Sequence, residues 1–214
     1  MRTIVTEEAV RAAARRDRVI RVGPEDAVSA AARRLAERLG VAIESVDPAP
    51  PAPDARVIVL GADHGGYALK EELKEFVAGL GYAVRDVGCH STEPVDYPDY
   101  ARAVALEVAR GAAWRGIMVD GAGIGSSMAA NKVPGVRASL CYDVSSARNA
   151  REHNDANVLT LGAGLIGSAL ARQIVETWLT TPFAGGRHAR RVGKINAMDA
   201  GKPLPSIDFP STLR

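Results

Sequence analysis

The chain has 214 residues, of which 47% are hydrophobic and 24% charged, the balance of an ordinary globular protein. Its net charge of +2, without a long basic run, argues against a partner that is nucleic acid or a membrane surface. Two cysteines cannot build a disulfide scaffold, and no apolar run is long enough to span a bilayer. We therefore expect a cytoplasmic protein.

Residues 1–46 predict a small N-terminal helical extension. A helical pattern covers residues 9–16, and a short β-branched stretch follows at residues 19–22. A second helix is predicted to start at Pro24 and to stop at Gly40. Because so short a segment buries little core by itself, we expect it to dock on its own body, a partner subunit or a larger assembly.

The predicted main domain, residues 56–200, is flanked by two segments of different composition. Residues 47–55 carry four prolines, which favour an extended linker and exclude a helix. Residues 201–214 carry three more prolines and are predicted to lie irregularly along the surface.

The main domain alternates short apolar runs with amphipathic stretches, which predicts a five-stranded parallel sheet with helices on both faces. The strands are predicted at residues 57–60, 82–87, 116–119, 136–141 and 158–161, and the helices at 67–80, 97–110, 124–132, 144–152 and 166–179.

The third strand leads into a loop that carries Asp120 and the alternating glycines Gly121, Gly123 and Gly125. Glycine allows positive φ and leaves room for a ligand, and the helix that follows offers free N–H groups to an anion or oxyanion. Asp120 stands at the carboxyl end of the strand, where open α/β sheets bind ligands. The spacing fits neither a dinucleotide fingerprint nor a Walker A loop, and a tight turn without a ligand is the alternative.

Two other loops pair a histidine with a polar neighbour. Asp63 can orient His64 or bind a sugar hydroxyl. His64 can bind a phosphate or donate a proton as an acid. The alternative there is a capped loop with an incidental histidine. His153 can donate a proton to a substrate oxygen and Asn154 can hold a sugar or an oxyanion, although a helix C-cap explains both residues equally well.

Arg187 and Arg191 follow two glycines and suit a phosphate clamp, with a solvated basic face as the alternative. No zinc pattern and no nucleophile elbow occurs in the sequence. The loops together supply an acid, a base, oxyanion donors and a clamp without any cofactor motif. This inventory favours cofactor-independent proton transfer on a phosphorylated sugar.

Six motifs then come in a familiar order: Gly-Ala-Asp-His-Gly-Gly at 61–66, Asp-Tyr-Pro-Asp-Tyr at 96–100, Gly-Ala-Gly-Ile-Gly at 121–125, Ala-Ala-Asn-Lys at 129–132, His-Asn-Asp-Ala-Asn-Val at 153–158 and Gly-Gly-Arg-His at 185–188. Over residues 56–197 the chain resembles the ribose-5-phosphate isomerase B family, which includes galactose-6-phosphate isomerase subunits. The resemblance implies a Rossmann-like three-layer fold and a homodimer, or a tetramer, with shared active sites. It also implies interconversion of ribose 5-phosphate and ribulose 5-phosphate through an enediol, without metal or other cofactor.

The resemblance also implies roles for single residues. His153 matches the residue that opens the furanose ring, and one of the two arginines is expected to reach across the dimer. The positions matched to substrate contacts are Asp63, His64, Tyr97, Gly121, Gly123, Gly125, Asn154, Arg187 and Arg191.

Three positions depart from the family pattern. Many members carry a catalytic cysteine at Asp120 and a threonine at Ala122, and another branch carries a glutamate base at Ser126. Our hypothesis is that Asp120 is the base that moves the proton between C1 and C2. The alternative is a structural Asp120 in a poor isomerase or in an enzyme for another substrate.

Other functions stay open at this point. The substrate could be erythrose 4-phosphate, allose 6-phosphate or galactose 6-phosphate, or the chain could be a non-catalytic subunit that binds a sugar phosphate. Residues 1–46 resemble extensions on enzymes packaged in bacterial microcompartments. That likeness implies a location inside such a compartment, with its shell or other enzymes as partners.

Overall fold

The computed structural model of the chain describes residues 4–15, 18–22, 27–45 and 57–202. The chain divides into two compact units, residues 1–51 and 52–214. Pro24 and the predicted linker at 47–55 lie outside the described residues, as does all but the first two residues of the predicted tail.

The N-terminal unit is not purely helical, because its described residues also form four short strands. Its elements are β1 (Ile4–Val5), α1 (Glu7–Ala14), β2 (Val19–Val22), β3 (Ala27–Val28), α2 (Ala30–Leu39) and β4 (Ala42–Ser45). The strands form two parallel pairs, β1 with β3 and β2 with β4. Strands of two to four residues are too short to show an alternating pattern, which is why the sequence predicted a helical extension with a single short β stretch.

The unit has a small core of its own. Val10 and Ala32 are fully buried, with Leu35 beside them. The Ser29 hydroxyl accepts a hydrogen bond from the Ala32 N–H and starts α2. Gly40 ends the helix in the left-handed region at φ 63°, as the sequence predicts.

The main unit is a Rossmann-like α/β fold, and this prediction is confirmed. Its elements are β5 (Val57–Ala62), α3 (Tyr67–Gly79), β6 (Ala83–Asp86), α4 (Tyr97–Ala109), β7 (Arg115–Asp120), α5 (Ile124–Ala130), β8 (Ala138–Leu140), α6 (Val144–Asn154), β9 (Val158–Gly162), α7 (Ser168–Thr180) and α8 (Gly186–Asp199). The five strands are parallel in the order β6-β5-β7-β9-β8. The sequence did not predict α8, because only His188 and Val192 of that helix are buried and they give no apolar stripe.

Alternate residues of the central strands face different layers. Ile117 of β7 packs in a core with α3, α6 and α7, whereas Met118 packs in a second core dominated by α4. Because β5, β7 and β9 are buried on both faces, they are continuous apolar runs in the sequence.

Both tryptophans lie beside one buried arginine, Arg115, at the start of β7. Its guanidinium is 3.9 Å from the Trp114 ring centroid and 5.1 Å from that of Trp178. It donates to the carbonyls of Trp178 and Leu179, both at 2.8 Å, in the last turn of α7. Burial, and then the nearby Arg151 charge, lower the pKa of Arg115 to about 9.

Within the ranges described above, no helix has both the length and the apolar character needed to cross a membrane.

Candidate active site

The loops after β5 and β7 meet at the carboxyl edge of the sheet because these two strands are neighbours. Asp63 anchors its own loop by accepting the Gly66 N–H at 2.9 Å. A Cβ atom on Gly66 would collide with the Val119 carbonyl, so only glycine permits this approach. Gly65 lies beside the next loop, where a Cβ atom would be in ordinary contact with the Gly121 nitrogen at 3.6 Å.

The Asp120 carboxylate is buried and organises the β7–α5 loop around itself. One oxygen, Oδ1, accepts the N–H groups of Ala122, at 2.8 Å, and of Gly123. The other, Oδ2, accepts the Ser126 N–H at 3.2 Å and the Ser126 hydroxyl. Four donors therefore use the four acceptor positions of the carboxylate.

Three N–H groups of the same loop are left for a ligand. Those of Gly121, Ile124 and Gly125 make no hydrogen bond within the part of the chain that the structure describes. The Tyr97 ring lies over Gly125, where a Cβ atom would come within 2.6 Å of the Tyr97 hydroxyl oxygen. Gly123 has φ 77°, which allows the loop to turn into α5.

Two side chains hold the rim of this loop cluster. The His64 Nδ1 atom lies 3.2 Å from both the nitrogen and the oxygen of Val95, so the backbone of that residue orients the ring. Tyr142 donates its hydroxyl to the Ala122 carbonyl at 2.8 Å. No sequence pattern points to Tyr142, because it lies outside the glycine motif and reaches the loop only through the fold.

A second group of candidate residues surrounds a pair of stacked histidines. The rings of His153, on α6, and His188, on α8, are 4.2 Å apart between centroids and only 2° from parallel. The side-chain amide nitrogen of Asn149 is hydrogen-bonded to the His153 Nδ1 atom at 2.8 Å. Desolvation, and then the charges of His153, Arg187 and Arg191, lower the pKa of His188. His188 was not predicted as a site residue, although it is the last residue of the Gly-Gly-Arg-His motif.

The turn that follows His153 is held by ion pairs. Asp155 lies in the left-handed region at φ 47° and caps α6. Its carboxylate pairs with Arg151 at 2.8 Å and with Arg137 at 3.1 Å. The Arg137 Nε atom also donates to the Asn154 carbonyl at 3.2 Å. Sequence reasoning gave neither arginine a role: Arg151 begins the polar stretch that contains His153, and Arg137 stands outside any glycine-rich or histidine-containing motif.

The two groups lie at opposite ends of the parallel strands, one at the carboxyl edge and one at the amino edge of the sheet. Helix α6 runs from the carboxyl edge to the amino edge, so His153 and Asn154 lie close to the start of β9. Residue Gly162, at the end of β9, is level with Asp120 in the sheet register. The length of β9, about 13 Å, therefore separates the levels of the two groups.

Within one chain the predicted site residues thus form two clusters. Asp63, His64, Tyr97, Asp120, Gly121, Gly123 and Gly125 belong to the carboxyl-edge cluster. His153, Asn154, Arg187 and Arg191 belong to the amino-edge cluster. Among the described residues, no three His, Cys, Asp or Glu side chains are grouped so that they could hold a metal ion.

The chain is similar to known sugar-phosphate isomerases. A family model described as Ribose/Galactose Isomerase matches residues 58–195. Ribose-5-phosphate isomerase B of Escherichia coli is 45% identical over 142 residues, which are 66% of this chain and 95% of that protein. D-erythrulose-4-phosphate isomerase of Pectobacterium atrosepticum is 41% identical over 139 residues, 64% of this chain and 91% of that protein.

The solved structure of ribose-5-phosphate isomerase B from Clostridium thermocellum has a similar fold. Its TM-score is 0.67 at 52% identity, and the match covers 68% of this chain and 98% of that one. The family match falls entirely within the main unit and takes in both clusters of candidate residues. The chain therefore belongs to the ribose/galactose isomerase family and is an enzyme of it, a sugar-phosphate isomerase of the ribose-5-phosphate isomerase B type.

Proposed function

We propose that the enzyme interconverts ribose 5-phosphate and ribulose 5-phosphate through an enediolate, without a metal. The β7–α5 loop carries this proposal, because it joins a carboxylate at residue 120 to the unpaired N–H groups of Gly121, Ile124 and Gly125. Preorganised N–H donors of this kind stabilise the negative oxygen that develops when a proton leaves the carbon beside a carbonyl.

The reaction needs three steps. His153 protonates the ring oxygen and opens the furanose, while the C1 hydroxyl gives up its proton to solvent and becomes the carbonyl. Asp120 then removes the proton from C2, and the electron pair of that C–H bond forms the enediolate while the C1 oxygen takes the negative charge. The hydroxyl proton on O2 then passes to O1, and return of the proton from Asp120 to C1 gives the ketose. The Asp63 and His64 side chains would hold sugar hydroxyls, and Arg187 and Arg191 would bind the phosphate.

Asp120 must free an acceptor position before it can take the C2 proton. Three of its four donors are backbone N–H groups, fixed by the loop, whereas the Ser126 hydroxyl can rotate about one bond. We therefore propose that Ser126 turns aside during the reaction and exposes Oδ2. Loss of this single hydrogen bond costs about 1.5 to 3 kcal/mol, which is small beside a typical catalytic barrier.

A complete site would require two copies of the chain. The amino-edge cluster of one copy would face the carboxyl-edge cluster of the other, which gives two shared sites in a symmetric dimer. The face of α5 next to the loop suits such an interface. Ile124 is 46% and Met128 64% exposed, and with Leu140 they line a groove of about 430 Å³.

Erythrose 4-phosphate, with erythrulose 4-phosphate as its ketose, is the second candidate substrate. The 41% identical relative from Pectobacterium atrosepticum is named for erythrulose 4-phosphate. A sugar one carbon shorter would need a smaller distance between the phosphate clamp and the base.

The decisive experiment offers ribose 5-phosphate and erythrose 4-phosphate separately to the purified full chain in the presence of a chelator. Ketose formation is followed by NMR. We expect turnover on the order of 1–10³ per second with ribose 5-phosphate. Faster turnover of erythrose 4-phosphate would make that sugar the substrate. Saturable binding of both sugars without turnover would instead indicate a binding subunit.

We also propose that residues 1–46 dock the enzyme on another protein, such as a microcompartment shell or an enzyme enclosed with it. The separate core of the N-terminal unit supports this, because the unit does not depend on the isomerase fold for its buried residues.

A further inference from the structure

Arg137, just before β8, contacts both elements that carry the amino-edge cluster. Its Nε and Nη2 atoms donate to the Asp155 carbonyl, at 3.1 and 2.8 Å, in the turn after α6. Its Nη1 atom donates to Asn196 Oδ1 at 3.0 Å, in α8. One planar guanidinium therefore holds the C-terminal turn of α6 and the second half of α8 in fixed relation.

Helix α8 has few other contacts that could fix its position. Only His188 and Val192 of its fourteen residues are buried. Beyond the histidine stack, the Asp199 carboxylate accepts the Gly135 N–H at 2.9 Å. Because apolar packing along α8 is sparse, its polar contacts decide where the helix lies.

The two helices carry different parts of the proposed site. His153 is in the last turn of α6, whereas Arg187 and Arg191 are in the first half of α8. The Asn196 side chain lies about 8 Å further along the helix axis than Arg191. A tilt of α8 around the histidine stack would therefore move both arginines relative to His153.

From these contacts we infer that Arg137 is a positioning residue that sets the distance between the phosphate clamp and the ring-opening histidine. This inference rests on the proposed function of both groups. It makes the Arg137–Asn196 contact a determinant of how the sugar phosphate is seated, because the clamp would hold the phosphate on C5 while His153 acts on the ring oxygen, which is attached to the neighbouring carbon C4.

The test removes only the α8 end of this contact. The Asn196→Ala variant loses the acceptor for Nη1 but keeps the Arg137 contacts to the α6 turn. A hydrogen bond to a charged group is worth about tenfold in an equilibrium, so KM for ribose 5-phosphate should rise about tenfold with kcat within twofold. Competitive inhibition by inorganic phosphate should weaken by the same factor, while the melting temperature stays near that of the parent enzyme.

Two further variants sharpen the test. Asn196→Asp keeps an oxygen acceptor for Arg137 and should restore KM. Lys194→Ala, which shortens an exposed side chain of the same helix, should leave KM and phosphate inhibition unchanged.

An unchanged KM and unchanged phosphate inhibition in Asn196→Ala would overturn the inference, and so would failure of Asn196→Asp to restore them. A parent enzyme that neither converts the sugar nor binds phosphate would instead overturn the proposed function. The two failures are therefore distinguishable.

Discussion

Asp120 and Asp155 both fix a turn of the backbone, but they do so in different ways. Asp120 accepts donors that all lie within six residues of it, three of them backbone N–H groups. Asp155 pairs with two arginine side chains, one of which, Arg137, is 18 residues away. The first turn is built by one loop alone, whereas the second depends on how separate elements pack together.

The two turns are therefore sensitive to substitution in different ways. A change at Asp120 releases a loop at the proposed reacting atoms, so its main effect should be on turnover. A change at Asp155 leaves buried or half-buried cations without their partner, so its main effect should be on stability.

The largest effect is expected from Asp120→Ala. If Asp120 is the base, turnover should fall by about three orders of magnitude or more while sugar-phosphate binding stays measurable. Steady-state kinetics and isothermal titration with ribose 5-phosphate measure the two quantities. Ser127→Ala, in helix α5 just after the same loop, is the control and should behave as the parent enzyme. Near-normal turnover in Asp120→Ala would contradict its assignment as the base.

Mixing two inactive chains tests whether the two clusters serve one site. In a hybrid dimer of Asp120→Ala and His153→Ala chains, one of the two shared sites contains both native residues. Random pairing should therefore restore about a quarter of the parent activity, well above the sum of the two variants. If native mass spectrometry shows hybrid dimers but activity does not recover, the sites are not shared.

Asp155→Ala should destabilise the main unit by about 2 kcal/mol, less than for a fully buried pair because this carboxylate is partly exposed. The cause is the loss of a partner for Arg151, whose side chain is only 6% exposed. Urea denaturation measures the change. Asp143→Ala, at the other end of α6, removes a cap without unpairing an arginine and should cost less than Asp155→Ala. An equal cost for both variants would remove the distinction between the two kinds of turn.

Asp86 is a third carboxylate held by side-chain partners, and its contribution to stability should depend on pH. Desolvation raises its pKa, but hydrogen bonds from Lys70 and Lys74 outweigh that effect and lower the pKa from 3.8 to about 2. A lowered pKa stabilises the fold above pH 3.8, and this contribution of about 2 kcal/mol disappears as the pH falls toward 2. The stability difference between the parent and Asp86→Asn should therefore shrink over that interval. A difference that is constant with pH would show that the ion pair does not contribute.

The smallest effect is expected from deletion of residues 1–46. Because the main unit has its own cores, kcat and KM should stay within twofold of the full chain. Co-purification with candidate partner proteins should be lost instead. Unfolding of the shortened chain would mean that the N-terminal unit is part of the isomerase fold.

The sequence allows prediction of those features that depend on neighbours along the chain. The central strands β5, β7 and β9 are visible as apolar runs because they are buried on both faces, and the β7–α5 loop is visible because its glycines alternate. Arg137 and Asn196 are 59 residues apart, so their contact depends on packing that no local pattern encodes. The same reason applies to the histidine stack, which brings α6 and α8 together. Helix α8 escaped prediction because it is mostly polar on the surface of a single chain.

The two tryptophans, Trp114 and Trp178, are the only ones in the protein, and both lie next to Arg115. Intrinsic tryptophan fluorescence therefore reports on one region of the isomerase unit and receives nothing from residues 1–51. Far-ultraviolet circular dichroism, by contrast, sums the helices of both units. If the two units melt independently, the optical transitions will not coincide. The two tryptophans thus form an intrinsic fluorescent probe that distinguishes the unfolding of the isomerase unit from that of the N-terminal unit.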